Sequence, residues 1–600
     1  MTQAPAQAPA AMEAPGGMSV QEAFRKLYHT ISPRRRRLFL PMLGLMLAGA
    51  LAEVMTLGAL LPFLAVIADP GGAFLSRLKP VLDSIGLGSF PVIYVLTAAF
   101  ALSAIVSATL RLALLWANNA FVNGISYELS TKLYDTALHD PYILHTRRNT
   151  SETIATINKV ELLSWSVLGP VANGIVSLVI AVFMVAGLIY INPAVALSSG
   201  LGLAAIYFAA TMTCRRQMQV NSRVISAAQG RAVKSMQEGL GGIRDVLIDH
   251  SQPVFLAAYE NALAGLRDAR TRNTFFAGAP RFFVEALGMV LIAGVAVVVT
   301  GQPGSLTTAI PVLGTLALGA QRLLPLLQQI YHAWAQVTGN RQVIIDVAEQ
   351  VSQSVPKDEG AVTALPFETA IRLDGLSFTY PGASLPALAG IDDVIPKGAR
   401  VGVIGRTGSG KSTLMDLLLG LLEPSEGRIL VDGVTLDDAN RRAWQKNIAH
   451  VPQAIFLADA SIAENIAFGV ERHNIDRDRV ASAARQAELT DVIANLPQGF
   501  DTRVGERGIQ LSGGQRQRIG IARALYKQAS VLIFDEATSA LDSETESAVM
   551  AAIKTLDRRL TILIIAHRLS TLEDCNMIIQ LEAGRLLDRR HLPRELQQAP

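Results

Sequence analysis

The segment Gly405–Thr413, with the sequence GRTGSGKST, has the residue types and spacing of a loop that binds phosphate. It lies between the apolar runs Val401–Ile404 and Leu414–Leu422, which predicts the order strand, loop, helix. Glycines let backbone N–H groups surround phosphate oxygens, and a helix N-terminus favours negative charge. Lys411 would hold the β- and γ-phosphates of a nucleotide, and Ser412 would ligate Mg²⁺. A glycine-rich turn without a ligand is the alternative.

Two further apolar runs end in polar residues that suit the same chemistry. Val531–Phe534 is followed by Asp535 and Glu536, and Thr561–Ile565 leads to His567. Side chains at the carboxyl ends of parallel strands point into the ligand crevice of an open sheet. We predict that Asp535 supports Mg²⁺, that Glu536 polarises the attacking water and that His567 reaches the γ-phosphate. The alternatives are two acidic residues that cap a helix and a structural histidine.

A soluble α/β domain is needed to position these motifs. From about residue 365, short apolar strands alternate with helices, which is the pattern of such a domain. The composition changes at Val355–Gly360, which predicts a linker at that point. We therefore predict a nucleotide-binding domain over 356–600.

The rest of the chain is too apolar for a soluble protein. The 600 residues are 50% hydrophobic and 17% charged, and the mean hydropathy is +0.33. These values exclude disorder of the whole chain. The net charge of +3, from 53 basic minus 50 acidic residues, gives no argument for nucleic acid. With only two cysteines, Cys214 and Cys575, the sequence argues against a disulfide framework and predicts two free thiols.

Six segments before residue 355 are long and apolar enough to span a bilayer. They are 38–68, 91–117, 165–191, 194–212, 282–300 and 307–330. Basic residues concentrate on one side of these segments, which predicts that both chain ends are cytoplasmic. We predict a disordered tail over 1–18 and a transmembrane domain over 19–355. Residues 20–31 have the spacing of an amphipathic helix on the membrane surface, anchored by Arg34–Arg37.

The soluble domain resembles the ATP-binding cassette (ABC) family. The residues Leu511–Gln515 (LSGGQ) match the family signature, and Gln453 follows Val-Pro as in the Q-loop. Ser539–Asp542 resembles the D-loop, and Gly505–Gly508 resembles the exporter loop that touches the membrane helices. Tyr380 lies where the family stacks an aromatic ring on adenine. His567 matches the family's switch histidine.

This resemblance implies a six-span α-helical membrane domain of the ABC exporter type, with helices that extend into the cytoplasm, followed by an α/β P-loop ATPase that uses ATP and Mg²⁺. Because the signature binds ATP held by the opposite cassette, a homodimer is implied. The implied catalytic residues are Lys411, Gln453, Glu536 and His567. The implied Mg²⁺ ligands are Ser412, Gln453 and Asp535. The implied ATP-binding residues are Tyr380, Gly405, Arg406, Thr407, Gly408, Ser409, Gly410, Lys411, Ser412, Thr413, Ser512, Gly513, Gly514 and Gln515.

Five charged residues lie in or beside the predicted spans, where charge is costly and marks a pathway or a partner. They are Glu53, Arg111, Arg281, Glu285 and Arg322. Three arginines over one cavity suit a phosphate or pyrophosphate, because a guanidinium binds two oxygens at once. Ion pairing between helices is the alternative, with Arg322 paired to Glu53 or Glu285.

The membrane domain is similar to bacterial lipid-linked oligosaccharide flippases in Leu57–Phe63, Pro280–Glu285 and Gln321–Pro325. This resemblance implies ATP-driven flipping of a polyprenyl-pyrophosphate-linked oligosaccharide across the inner membrane. Export of lipid A-like lipids, drugs or peptides is the alternative within the class. An ATP-gated channel and a non-transporting ABC ATPase are alternatives from other classes, and six spans argue against the second.

Overall fold

The computed structural model of the protein describes residues 18–68, 80, 84, 86, 89–147, 150–191, 193–300, 306–352, 362–535, 546–547, 551, 560–565 and 575–591. The chain forms two compact units. The first comprises Met1–Asp140 and Leu144–Pro356, and the second comprises Pro141–Ile143 and Lys357–Pro600. Of the tail predicted to be disordered, only Met18 lies within the described residues.

The described part of the chain before residue 352 is almost entirely helical. Its helices are α1 (Val20–Thr30), α2 (Pro33–Ala68), α3 (Val92–His139), α4 (Tyr142–Arg147), α5 (Thr150–Leu163), α6 (Gly169–Ile191), α7 (Pro193–Gly241), α8 (Ile243–Ile248), α9 (Gln252–Thr300), α10 (Leu306–Gly339) and α11 (Arg341–Val351). Between α5 and α6, Ser164–Leu168 forms a π-helical turn. The helices α3, α7 and α9 have 48, 49 and 49 residues. Because about 20 residues cross a bilayer, each is long enough to continue well beyond it.

Three segments of the described chain are long and apolar enough to cross a membrane. They are Pro33–Leu60, Val92–His139 and Thr153–Gly187. These overlap the first three predicted spans, while the other three predicted spans fall within α7, α9 and α10. The total of six spans stays a prediction.

The N-terminal helix α1 packs against protein. Ser19 caps it by accepting a hydrogen bond from the Glu22 N–H at 3.1 Å. Ala23 and Leu27 on its apolar side are buried in a cluster that α3, α5 and α11 supply. The amphipathic helix predicted over 20–31 therefore covers neighbouring helices, with Tyr28 still exposed.

The arginine run that follows α1 is partly occupied by protein contacts. Arg35 Nε lies 2.7 Å from Glu128 Oε1, and the Ser32 N–H and hydroxyl donate to the same carboxylate at 3.0 and 2.9 Å. These contacts give the Glu128 carboxylate one cationic partner and two further donors. The start of α2 is thereby fixed to α3.

The second unit is an α/β domain. Its strands are β1 (Ala370–Phe378), β2 (Leu388–Pro396), β3 (Arg400–Ile404), β4 (Glu426–Val431), β5 (Val434–Thr435), β6 (Ile448–Val451), β7 (Val531–Asp535), β8 (Thr561–Ile565), β9 (Met577–Glu582) and β10 (Arg585–His591). Its helices are α12 (Lys411–Leu418), α13 (Arg441–Gln445), α14 (Ile462–Ile466), α15 (Arg477–Gln486), α16 (Thr490–Ala494) and α17 (Gly513–Tyr526). Short 3₁₀ turns cover Arg472–Asn474, Gly499–Asp501 and Glu506–Gly508.

A six-stranded sheet carries the predicted chemistry. Its order is β10-β9-β3-β8-β7-β6, and the neighbouring pairs from β9 to β6 are all parallel. The prediction that the strands before Gly405, Glu536 and His567 run parallel is confirmed. A smaller antiparallel sheet has the order β2-β1-β4-β5.

Alternate residues of the strands enter two different hydrophobic cores. Leu532 and Phe534 of β7 lie in the core that contains α17, whereas Val531 and Ile533 lie in the core that contains α12. Successive side chains of a strand point to opposite faces of its sheet. The helices α12 and α17 therefore cover opposite faces, which bears on how a complete site can form.

Candidate nucleotide site and charged cavities

The loop between β3 and α12 follows a path that requires glycine. Gly405, Gly408 and Gly410 have φ angles of +153°, +81° and +101°. A Cβ atom on Gly410 would lie 2.7 Å from the Ala387 carbonyl oxygen and 2.7 Å from Leu388 Cδ2. Any other residue there would strain the backbone and displace β2. The loop therefore leads the chain directly into the N-terminus of α12, where helix N–H groups have no intrahelical partners.

Lys411, the first residue of α12, is buried at the mouth of this loop. Its Nζ donates to the carbonyl oxygens of Gly405 at 2.8 Å and Arg406 at 3.1 Å. No carboxylate of the described residues pairs with Lys411. The buried Ser409 hydroxyl has no hydrogen-bond partner among those residues. A desolvated ammonium beside an unsatisfied hydroxyl and a helix N-terminus suits phosphate oxygens.

The carboxyl edge of the sheet collects the other predicted nucleotide contacts. Asp535 ends β7, and Gln453 follows the end of β6, whose Val451 pairs with Phe534. Asp535 pairs with Ile565 of β8, which pairs in turn with Val403 of β3. The phosphate loop, Asp535 and Gln453 thus lie along one edge. Glu536, His567 and Ser539–Asp542 lie outside the described residues.

The oxygen donors at this edge fit Mg²⁺ in combination with phosphate. Ser412 is exposed in the first turn of α12, and Gln453 is exposed beyond β6. Within the described residues no group of three or more His, Cys, Asp or Glu side chains gathers to hold a metal. Mg²⁺ commonly takes one or two protein oxygens and completes its coordination with water and substrate phosphates. Ser412, Gln453 and Asp535 would hold the ion in that way, and the ion would neutralise developing phosphate charge.

Asp416 is a carboxyl that the sequence prediction missed. It lies one turn after Ser412 on α12, in an otherwise apolar run. Burial raises its pKa to about 6, and the negative charge of Asp535 adds to the shift. A charged residue within the apolar run Leu414–Leu422 was the available signal.

Tyr380 lies beside the phosphate loop. It follows β1, and its hydroxyl is 3.2 Å from the Thr413 hydroxyl in the first turn of α12. Its ring meets the buried Phe378 edge-on at 4.9 Å between centroids. The structure therefore brings together Tyr380 and the loop residues Gly405–Thr413, as the sequence predicted.

The signature segment begins α17 on the other face of the sheet. Ser512 Oγ accepts from the Gln515 N–H at 3.2 Å, while Gln515 Oε1 accepts from the Ser512 N–H at 2.9 Å. This reciprocal capping box orders an exposed helix N-terminus formed by Ser512 and Gly513, with Gly514 in its first turn. Because α17 and α12 cover opposite faces, the chain does not join its own signature to its own phosphate loop.

In the first unit, Glu53 gathers two of the three predicted arginines. Glu53 Oε1 lies 2.7 Å from Arg322 Nη1, and Oε2 lies 3.3 Å from Arg111 Nη2. The Ser107 hydroxyl donates to Oε2 at 2.6 Å. Glu53 is only 4% exposed. A cavity of about 580 Å³ adjoins this group and also meets Asn118.

Arg281 lies elsewhere. Its Nε is 2.7 Å from Glu285 Oε1, one turn away on α9, and Gln328 Nε2 is 3.5 Å from the same oxygen. It lines a second cavity of about 270 Å³ with Tyr207 and His332. Arg281 thus has its own carboxylate and lines a neighbouring cavity, which shares Pro325 and Gln329 with the first. That the three arginines serve one substrate site stays a prediction. The ion-pair alternative between Arg322 and Glu53 is what the geometry shows.

Ser107 is a second residue that the sequence prediction missed. It is 1% exposed and bonds a carboxylate from a different helix. Its position one turn before Arg111 puts both side chains on the same side of α3. That spacing was a usable signal, but a serine in an apolar span carries little information by itself.

A helical membrane unit joined to a parallel-sheet unit with a phosphate loop defines a membrane-bound P-loop ATPase. Residues 388–539 match the model of the ABC transporter family, and residues 44–308 match that of the ABC transporter transmembrane region. The ATP-dependent lipid A-core flippase of Burkholderia pseudomallei (strain 1710b) is 31% identical over 561 residues, which cover 91% of this chain and 90% of that protein. The protein of the same name from Cupriavidus metallidurans is 32% identical over 476 residues, 78% of this chain and 79% of its own length.

A solved structure shows the same architecture. The chain in "Structure of a bacterial Atm1-family ABC exporter with ATP bound" is 26% identical, has a TM-score of 0.73, and the match covers 92% of this chain and 95% of that one. This chain belongs to the ABC transporter family. It is an ABC exporter, a membrane protein whose ATPase unit binds ATP and couples its hydrolysis to transport.

Proposed function

We propose that this protein flips an anionic, lipid A-like amphiphile across the bacterial inner membrane. The observation that carries the proposal is the group formed by Glu53, Arg322 and Arg111 beside a cavity of about 580 Å³. Arg111 is half exposed and Arg322 about a quarter exposed, so both keep donors for a second anion. A guanidinium binds two phosphate oxygens at once.

The names of the relatives favour the lipid A-like alternative over the polyprenyl-pyrophosphate-linked oligosaccharide. Both lipids carry phosphate, so the arginines alone do not separate them. The relatives from Burkholderia pseudomallei and Cupriavidus metallidurans are both named for lipid A-core. We therefore place the lipid A-like substrate first and retain the oligosaccharide lipid as the competing substrate in the test.

The working form that we propose is a homodimer with the ATPase units in the cytoplasm. Ser512 and the phosphate loop stand on opposite faces of one sheet, so a second copy would supply the signature to each loop. In each site Lys411 would hold phosphate, Tyr380 would contact the adenine, and Glu536 and His567 would act on the attacking water and the γ-phosphate. Closing of the two ATPase units around ATP would then shift the membrane helices from one arrangement to another, and hydrolysis would reset them.

Reconstitution tests the proposed substrate directly. The protein is placed in proteoliposomes that contain a fluorescent lipid A-type lipid or a fluorescent polyprenyl-pyrophosphate glycan, and ATP-dependent loss of accessible label is measured. We expect flipping and ATPase stimulation with the first lipid. The Lys411→Ala protein is the control, since it keeps the membrane unit intact. Flipping of the polyprenyl lipid alone would reverse the choice, and ATP-dependent ion conductance without flipping would support the channel alternative.

A further inference from the structure

Asn118 is a buried polar residue on the wall of the cavity of about 580 Å³, and one end of its amide group has no partner. The residue is 2% exposed, and its Nδ2 donates to Asn173 Oδ1 at 2.6 Å. Its Oδ1 accepts no hydrogen bond from any of the described residues. A buried amide oxygen without a partner costs free energy, because its hydrogen bond to water is not replaced. The oxygen therefore favours a hydrogen-bond donor that enters the cavity.

The hydrogen bond to Asn173 ties α3 to α6, which explains the nitrogen end of the Asn118 amide but not its oxygen. By contrast, the buried Ser177 on the wall of the same cavity donates its hydroxyl to Gln329 Oε1. Among the described residues that line this cavity, Asn118 has the one buried side-chain oxygen or nitrogen without a hydrogen-bond partner. A purely structural role therefore does not account for the amide.

Asn118 lies on the same side of α3 as Arg111. The two are seven residues apart, which is about two helical turns and about 10 Å along the helix axis. Both line the cavity, so it presents arginine donors for an anion and, about two turns away, an acceptor. A phosphorylated sugar headgroup spans this separation with its hydroxyl or amide N–H groups. A simple phospholipid such as phosphatidic acid has no hydroxyl or amide at that distance from its phosphate.

We propose that Asn118 is a specificity-determining residue, whose Oδ1 accepts a hydrogen bond from a hydroxyl or amide N–H of the substrate's sugar while Arg111 and Arg322 bind its phosphate. This inference rests on the proposed function and deepens it, because it requires the anionic lipid to be glycosylated. A site with a buried acceptor discriminates against a ligand that lacks the donor, since the acceptor then stays unpaired. The protein should therefore prefer a phosphoglycolipid to an anionic phospholipid without a sugar.

The test compares two lipids on the full-length protein, diphosphoryl lipid A and phosphatidic acid. Native mass spectrometry in detergent gives an apparent Kd for each lipid. We expect the wild type to bind lipid A more tightly. Asn118→Leu is close in size and has no acceptor, so it should weaken lipid A binding about tenfold, the size of one lost hydrogen bond. Its Kd for phosphatidic acid should stay at the wild-type value.

Two neighbouring residues provide controls. Ser177→Ala removes a paired hydroxyl from the wall of the same cavity and should keep the wild-type preference. Asn173→Leu breaks the same hydrogen bond between helices but leaves the Asn118 oxygen in place, so it should also keep the preference. Because both lipids are compared on one protein sample, a partial loss of folded protein changes both Kd values alike. Asn118→Ala, with its melting temperature measured, serves as a second variant.

The outcomes separate this inference from the proposed function. Equal affinity of the wild type for the two lipids, equal weakening of both lipids by Asn118→Leu, or loss of the preference in Asn173→Leu as well would overturn the role of Asn118. None of these results contradicts the proposed function. Binding of lipid A with the expected preference but without ATP-dependent flipping would contradict the proposed function and leave the role of Asn118 standing. A wild type that binds no phosphoglycolipid would overturn both.

Discussion

The phosphate loop and the group of Glu53, Arg111 and Arg322 differ in whether a carboxylate balances their positive side chains. Lys411 is held by two carbonyl oxygens and has no carboxylate partner among the described residues, whereas Arg322 and Arg111 share a buried carboxylate. Lys411 lies at the carboxyl edge of the six-stranded sheet, where ATP and its counter-ion arrive from water. The arginines lie in apolar helices, where an unpaired charge is far more costly. The proposed membrane site for an anion therefore already contains the Glu53 carboxylate. An anionic substrate must displace Glu53 from the arginines or bind the donors that Glu53 does not use.

The largest effect on ATPase activity is expected from replacing Lys411, whose charge no carboxylate of the described residues balances. Lys411→Ala should lower the ATPase kcat by about 100-fold or more, because a phosphate donor is lost where charge develops. Lys446→Ala removes an exposed lysine of the same unit and should leave the rate unchanged. ATPase assays on both proteins measure the contrast. Comparable activity of Lys411→Ala and wild type would mean that this lysine does not hold phosphate.

If each ATP site combines the phosphate loop of one chain with the signature of its partner, two inactive variants should restore ATPase activity when they pair. Ser512→Arg should block contact with the partner's ATP, and Lys411→Ala should lose phosphate binding, so each homodimer is inactive. Mixed during refolding or coexpressed, they should regain a part of the wild-type ATPase, since each heterodimer has one site without either lesion. Two tagged forms allow the heterodimer to be purified and assayed. Full activity of a diluted monomer would contradict the two-chain site.

What the sequence could predict differs between the two regions for a physical reason. The phosphate loop, Asp535 and Gln453 are local signals, because each follows an apolar strand and parallel strands end at one edge. The capping box of Ser512 and Gln515 is local as well. The contact between Glu53 and Arg322 joins residues on different helices, and no spacing rule connects them. The sequence therefore indicated which charges were unusual but not which of them meet, and it did not show that Arg281 pairs with Glu285 and not with Glu53.

The third prediction compares the two ion pairs of the membrane unit. Arg322→Ala removes one partner of a nearly buried carboxylate and should lower the free energy of unfolding by about 2 kcal/mol, less than a fully broken buried pair because Arg111 and Ser107 remain. Arg281→Ala breaks a more exposed pair one turn apart, which solvent screens, and should lower that free energy much less. Thermal melts in one detergent compare them.

A double variant separates stability from transport. Glu53→Ala with Arg322→Ala removes both charges and should recover much of the lost stability. Under the proposed function this protein should still fail to flip lipid, because the phosphate donor is gone, while its basal ATPase stays near that of the wild type. Normal flipping by the double variant would show that the pair is purely structural. Equal destabilisation by Arg322→Ala and Arg281→Ala would contradict the difference in burial.

The smallest effect concerns the carboxyl next to the phosphate loop. Burial and the Asp535 charge raise the pKa of Asp416 to about 6. A raised pKa means that the folded protein holds the proton more tightly than the unfolded chain. The associated stability is therefore full below the unfolded pKa, near 4, and is lost as pH rises through about 6. Asp416→Asn removes this loss, so the variant should gain stability relative to wild type between those pH values, by about 1 kcal/mol after solvent screening.

Nucleotide-free melts at pH about 4.5 and about 7.5 measure the gain, with the exposed Asp438→Asn as control. A difference that stays constant across this range would show that Asp416 titrates as an ordinary surface carboxyl.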